Sequence, residues 1–150
     1  MWEDLVKKFI TYSVMAVAVM GFLIVANTVS AKENKVVIQI SDDNPRTMNI
    51  VLNNAMNLTK ALGAGGVDIE IVAYGPGLKM VHKDSKLRGK IQKVNSFGNV
   101  TFAVCANTMK NLKWTEKDLL ADAFIQKAVV PGGVIRIMEL QQQGYTYIRP

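Results

Sequence analysis

Cys105 stands near the end of the run Val100 to Ala106 (VTFAVCA), with the polar residues Asn107 and Thr108 just beyond it. A thiol becomes a nucleophile when it ionises, and a position where a strand hands over to a helix favours that, because the first N–H groups of a helix carry partial positive charge. Lys110 and Lys113 add to the same field. The competing reading is a small buried hydrophobe, a common fate of free cysteine. It is the chain's one cysteine, so an internal disulfide, a CxxC pair and a cysteine zinc cluster are all excluded, and sulfur or redox chemistry has to involve a second molecule.

Other residues with chemical potential are fewer. His82, the one histidine, lies in the run Lys79 to Lys93, where Lys79, Lys83, Lys86, Arg88, Lys90 and Lys93 face the single acid Asp84. That run reads either as an anionic docking patch beside the thiol or as a solvated helix face. His82 has no companion at metal-ligand spacing, and no metal or cofactor is expected. Asp42 and Asp43 are adjacent and point different ways, which suits loop and helix-start residues better than an acid–base pair. Gly63, Gly65 and Gly66 follow a helix and precede a strand, the reverse of a dinucleotide cradle. Scattered aromatics give no stacking platform, so no nucleic acid is expected.

The elements that must position these residues alternate. Lys35 to Ser41 (KVVIQIS) is β-branched and reads as a strand. Met48, Val51, Leu52, Ala55, Met56 and Leu62 recur at helical spacing over Pro45 to Leu62, with Asn44 as N-cap and Gly63 as stop. Val67 to Tyr74 and Val100 to Ala106 are further strands, and Leu78 to Val94 reads as helix in two pieces. Thr115 to Lys127 reads as one helix capped by Thr115. Val129 and Val130 form a short strand, Gly133 to Gln143 a helix ended by Gly144, and Tyr145 to Ile148 a last strand. Strands alternating with helices predict an α/β fold with a mostly parallel sheet and helices on both faces. Such sheets carry their sites at the carboxyl ends of the strands. The ends after the first three strands hold Ser41 to Asn44, Tyr74-Gly75-Pro76-Gly77, and Cys105 to Thr108. Gly75, Gly77, Lys79, His82, Asn107 and Thr108 are therefore the expected substrate or partner contacts around Cys105.

Composition fits one basic domain. Of 150 residues 49% are hydrophobic and 20% charged, and the net charge is +6. Disorder is excluded by that apolar content. Phe9 to Val29 carries no charge, and about 20 residues suffice to cross a hydrocarbon core of roughly 30 Å. The sequence thus divides into residues 1–31, a membrane anchor or signal segment, and residues 32–150, an α/β domain. Val29-Ser30-Ala31 also has the small residues of a signal-peptidase site, so cleavage after Ala31 is the alternative to a retained anchor. The anchored form predicts a globular domain on the periplasmic side; the cleaved form predicts secretion to the periplasm.

The motifs FAVCANTM, AYGPGLKM and VPGGVIRIMELQQQGYTYIRP together resemble the DsrE/DsrF family, including its YchN-like members, over Lys35 to Pro150. The resemblance implies a YchN-like fold and homo-oligomers, typically trimers or hexamers. It also implies that Cys105 matches the sulfur-carrying cysteine of members that relay persulfide sulfur. The hydrophobic N-terminus is an addition to that pattern. The resulting expectation is a membrane-tethered sulfur-handling protein, a sulfurtransferase or sulfur carrier, with a donor or acceptor protein or a membrane enzyme complex as partner. The alternative is a non-catalytic oligomeric subunit docking on such a complex.

Overall fold

A computed structural model of the chain describes residues 2–5 and 34–150. The chain divides into two compact units, Met1–Lys32 and Glu33–Pro150. In the first, residues 2–5 are helical and exposed. The expected membrane segment, residues 9–29, lies outside the described residues; among those described, no helix is long and apolar enough to cross a membrane.

The second unit is an α/β fold around a five-stranded sheet. Its strands are β1 (Asn34–Ile40), β2 (Val67–Ala73), β3 (Val100–Cys105), β4 (Val129–Val130) and β5 (Thr146–Ile148), in the order β4-β3-β2-β1-β5. Every pairing is parallel. Steps from β1 to β4 run one way across the sheet, and the step from β4 to β5 returns to the far edge. With right-handed crossovers, a reversal of direction moves the connecting helix to the opposite face. The two faces are unequal as a result.

The first face is covered by α1 (Pro45–Leu62), α2 (Arg88–Phe97), α3 (Ala106–Leu112) and α4 (Ala123–Gln126). Alternate strand residues Ile38, Ile40, Ile69, Ile71, Phe102 and Val104 pack there against Val51, Leu52, Ile91, Met109 and Ile125. The second face carries a single helix, α5 (Gly133–Gln142), whose Ile137 and Leu140 pack on Val37, Val72 and Ala103. Burial on both faces explains why the central strands read as continuous apolar runs.

Local chemistry set several boundaries. The Asn44 side chain accepts a hydrogen bond from the Arg46 N–H at 2.8 Å, Pro45 opens α1, and Gly63 at φ 86° ends it. The helix expected over Thr115 to Lys127 is broken. A 3-10 turn, Glu116–Asp118, is closed by a capping box between Thr115 and Asp118, and α4 starts only at Ala123. Between them Leu119 and Leu120 are buried, and the Leu120 N–H donates to the Val81 carbonyl at 2.9 Å. A docking partner for the backbone outcompeted helical periodicity. The third strand also stops one residue early, since Ala106 already belongs to α3.

Candidate functional site

The carboxyl end of the sheet is tied together by hydrogen bonds between its loops. The Tyr74 N–H donates to the Ile40 carbonyl at 3.1 Å, and the Gly75 N–H donates to the Thr108 hydroxyl at 2.9 Å. Lys79, in the 3-10 segment Gly75–Val81, pairs with Asp43 at 2.7 Å and holds that carboxyl below its ordinary range. Gly77 packs so closely on β1 that a Cβ there would lie 2.4 Å from the Ile40 carbonyl oxygen. Gly75 sits at φ 52°, in the left-handed region that suits glycine. These contacts fix the turn after β2 against β1 and α3.

Cys105 is the N-cap residue of α3, and its thiol closes no regular cap bond. Its surroundings act on the sulfur as convergent dipoles. Burial pushes the Cys105 pKa up; the Thr108 hydroxyl, then the N–H groups of Thr108, Gly133 and Asn107, outweigh burial and set it below the ordinary thiol value. Two helix starts thus face one sulfur, α3 through Asn107 and Thr108 and α5 through Gly133. The register adds side walls: Val130 is opposite Cys105, and Ala73 is opposite Val104, which makes Tyr74 and Cys105 lateral neighbours on the α5 side. Cys105 is 4% exposed.

Among the expected site residues, Gly75, Asn107 and Thr108 gather around Cys105, and Gly77 supports the turn that carries Gly75. Lys79 lies at the same sheet end, exposed and paired with Asp43. His82 is engaged elsewhere. Its ring lies 4.5 Å from the Trp114 ring, and its Nδ1 accepts from the Asp84 N–H at 3.3 Å. Part of the lysine and arginine run is engaged: Lys83 pairs with Asp118, Arg88 with Asp122, and Lys90 with the Asn49 side-chain oxygen.

The sequence reading puts Tyr74 at a strand end on the Cys105 side of the sheet without counting it as a contact, and it takes Gly133 only as a helix start. The missed signal was a fourth strand end: β4 is only two residues long, and the Pro131-Gly132-Gly133 that follows it joins the other three loops.

Residues 25–150 match the DsrE/DsrF-like family. The chain belongs to it. None of the curated proteins matches. Among solved structures, the chain is similar to the protein of unknown function MTH1491 from Methanobacterium thermoautotrophicum, at 32% identity and a TM-score of 0.70, over 79% of this chain and all of that one. It shares its fold with the conserved protein of unknown function BT1422 from Bacteroides thetaiotaomicron, at 22% identity and a TM-score of 0.61, over 83% of this chain and all of that one. In this DsrE-like domain the family's fold brings Cys105, Thr108, Gly75 and Gly133 to one end of the sheet.

Proposed function

We propose that this DsrE-like domain handles sulfur on Cys105. The observation that carries the reading is the place of Cys105 at the end of β3 as the N-cap residue of α3, where the Thr108 hydroxyl and the N–H groups of Thr108, Gly133 and Asn107 lower its pKa. That arrangement stabilises a thiolate, and the same dipoles suit the terminal anion of a persulfide. The Cys105 thiolate attacks the sulfane sulfur of a donor such as thiosulfate. An S–S bond forms to Cys105, the donor's S–S bond breaks, and its electron pair leaves with sulfite. An acceptor thiolate then attacks the outer sulfur, and Cys105 departs again as thiolate.

The test is intact-mass spectrometry after exposure to polysulfide or thiosulfate. The wild type is expected to gain one sulfur that Cys105→Ser does not. A wild type that takes up none from either donor, while its thiol is alkylated, sinks the reading.

A second reading rests on the 4% exposure of Cys105 and on the outer side of α5, where Val134, Ile135 and Met138 are 64%, 54% and 53% exposed. On this reading the domain is an oligomeric subunit whose thiol is only packed. Both readings include self-association, and the sequence of residues 9–29 extends both to a membrane tether with the domain on the periplasmic side. N-terminal sequencing of material from native membranes tests the tether: a start at Lys32 in a soluble fraction replaces it with cleavage after Ala31.

A further inference from the structure

We propose that the Tyr74 side chain gates access to Cys105, an inference that takes from the reading above only that Cys105 is the reactive group. Tyr74 and Cys105 are lateral neighbours on the α5 side of the sheet, and Cys105, between Tyr74 and Val130, is 4% exposed. The ring fills the space that a side chain at position 133 would take: a Cβ on Gly133 would lie 2.8 Å from both Cβ and Cδ1 of Tyr74. Gly133 also supplies an N–H that lowers the Cys105 pKa, so the ring packs on a residue that acts on the sulfur.

The backbone around the ring is pinned and the ring is not. Tyr74 N–H is bonded to Ile40, Gly75 N–H to Thr108, and Gly77 packs on the β1 backbone. The Tyr74 phenol, by contrast, has no hydrogen-bond partner among the described residues, and the side chain is half-buried at the rim of its cluster. Rotation about its side-chain bonds therefore costs packing on one edge and no hydrogen bond, while the turn beneath it stays in place. A small opening of this kind admits a donor to a thiol that the closed form hides.

The experiment measures the rate of iodoacetamide alkylation of Cys105 in the full-length chain, at a pH where the thiol is fully ionised, so that the rate reports access alone. Tyr74→Ala is expected to raise the rate by about tenfold or more, and Tyr74→Phe, which keeps the cover, to leave it unchanged. Tyr74→Leu, which keeps an apolar side chain but removes the ring, is expected to raise the rate as well. Far-ultraviolet circular dichroism and the thermal midpoint identify any variant that reacts because it has unfolded, and Tyr74→Leu decides if Tyr74→Ala does so. Wild-type rates in folded Tyr74→Ala and Tyr74→Leu overturn the gate. Fast alkylation in those variants with no sulfur uptake by any form keeps the gate and removes the carrier reading; sulfur uptake with unchanged alkylation does the reverse.

Discussion

Cys105 is surrounded by donors rather than by a base. No imidazole, amine or carboxylate is needed to explain its lowered pKa; Thr108 supplies both a hydroxyl and an N–H, with Gly133 and Asn107 adding theirs. Thiolate persists down to the lowered value, so the pH profile of alkylation should have its midpoint below the ordinary thiol value, with reactivity lost as pH falls through it. Thr108→Val removes the hydroxyl and is expected to move that midpoint up, while Thr108→Ser leaves it near the wild type. A profile that Thr108→Val does not shift would show that the hydroxyl contributes nothing to the thiol. Cys105 and Thr108 were legible from the sequence because strand and helix signals meet there. The strand end that holds Tyr74 was legible too; the contact between Tyr74 and Gly133 was not, because it depends on pairing between strands far apart in the chain.

At the level of elements, α5 is held to its bare sheet face by few contacts, and one of them is ionic. Arg136 donates from Nε to Glu70 Oε1 at 2.6 Å and from a second guanidinium nitrogen to Oε2 at 2.7 Å, and Glu70 is buried on β2. Arg136→Met leaves that carboxylate unpaired, with an expected loss of about 3 kcal/mol in urea unfolding. A loss near zero would mean that water replaces the arginine. The cap at Glu116–Asp118 gives a pH-dependent counterpart. Hydrogen bonds from the Thr115 backbone first, then from Lys83 and the Thr115 hydroxyl, hold the Asp118 pKa at about 2. Its contribution to stability is present above the ordinary carboxylate value and lost as pH falls towards about 2. Asp118→Ala should therefore lower the thermal midpoint at neutral pH, and the difference from wild type should close at the acid end. Thr115 was recognised from sequence as a cap; the helix it was expected to start was not formed, since Leu119 and Leu120 found a better partner in the 3-10 segment.

For the molecule as a whole, the asymmetry of the sheet faces is the dominant fact. One helix covers the second face, and its outer residues Val134, Ile135 and Met138, with Tyr147 on β5, remain exposed. Ile137, on the sheet side of the same helix, is buried on Val37 and Val72. In keeping with the proposed self-association, a chain starting at Lys32 should give a trimer or larger species by light scattering at micromolar concentration. Ile135→Glu and Met138→Glu together should shift it to monomer with the fold intact. A strict monomer in the unmodified chain would count against association through this face.

By itself the sequence determined the strand and helix alternation, the parallel α/β class and the place of Cys105 at a strand end. Each of these is written locally, in apolar periodicity, in the Asn44 and Thr115 caps, and in glycine stops. Tertiary structure alone decided that β5 returns to the edge beside β1, leaving one face to a single helix. It also decided that acids distant in sequence pair with the basic run, that His82 packs against Trp114, and that Tyr74 and Gly133 come into contact. The physical reason is common to all four: each depends on which strand ends become neighbours, and that is set by packing and crossover handedness over the whole sheet rather than by any one stretch of chain.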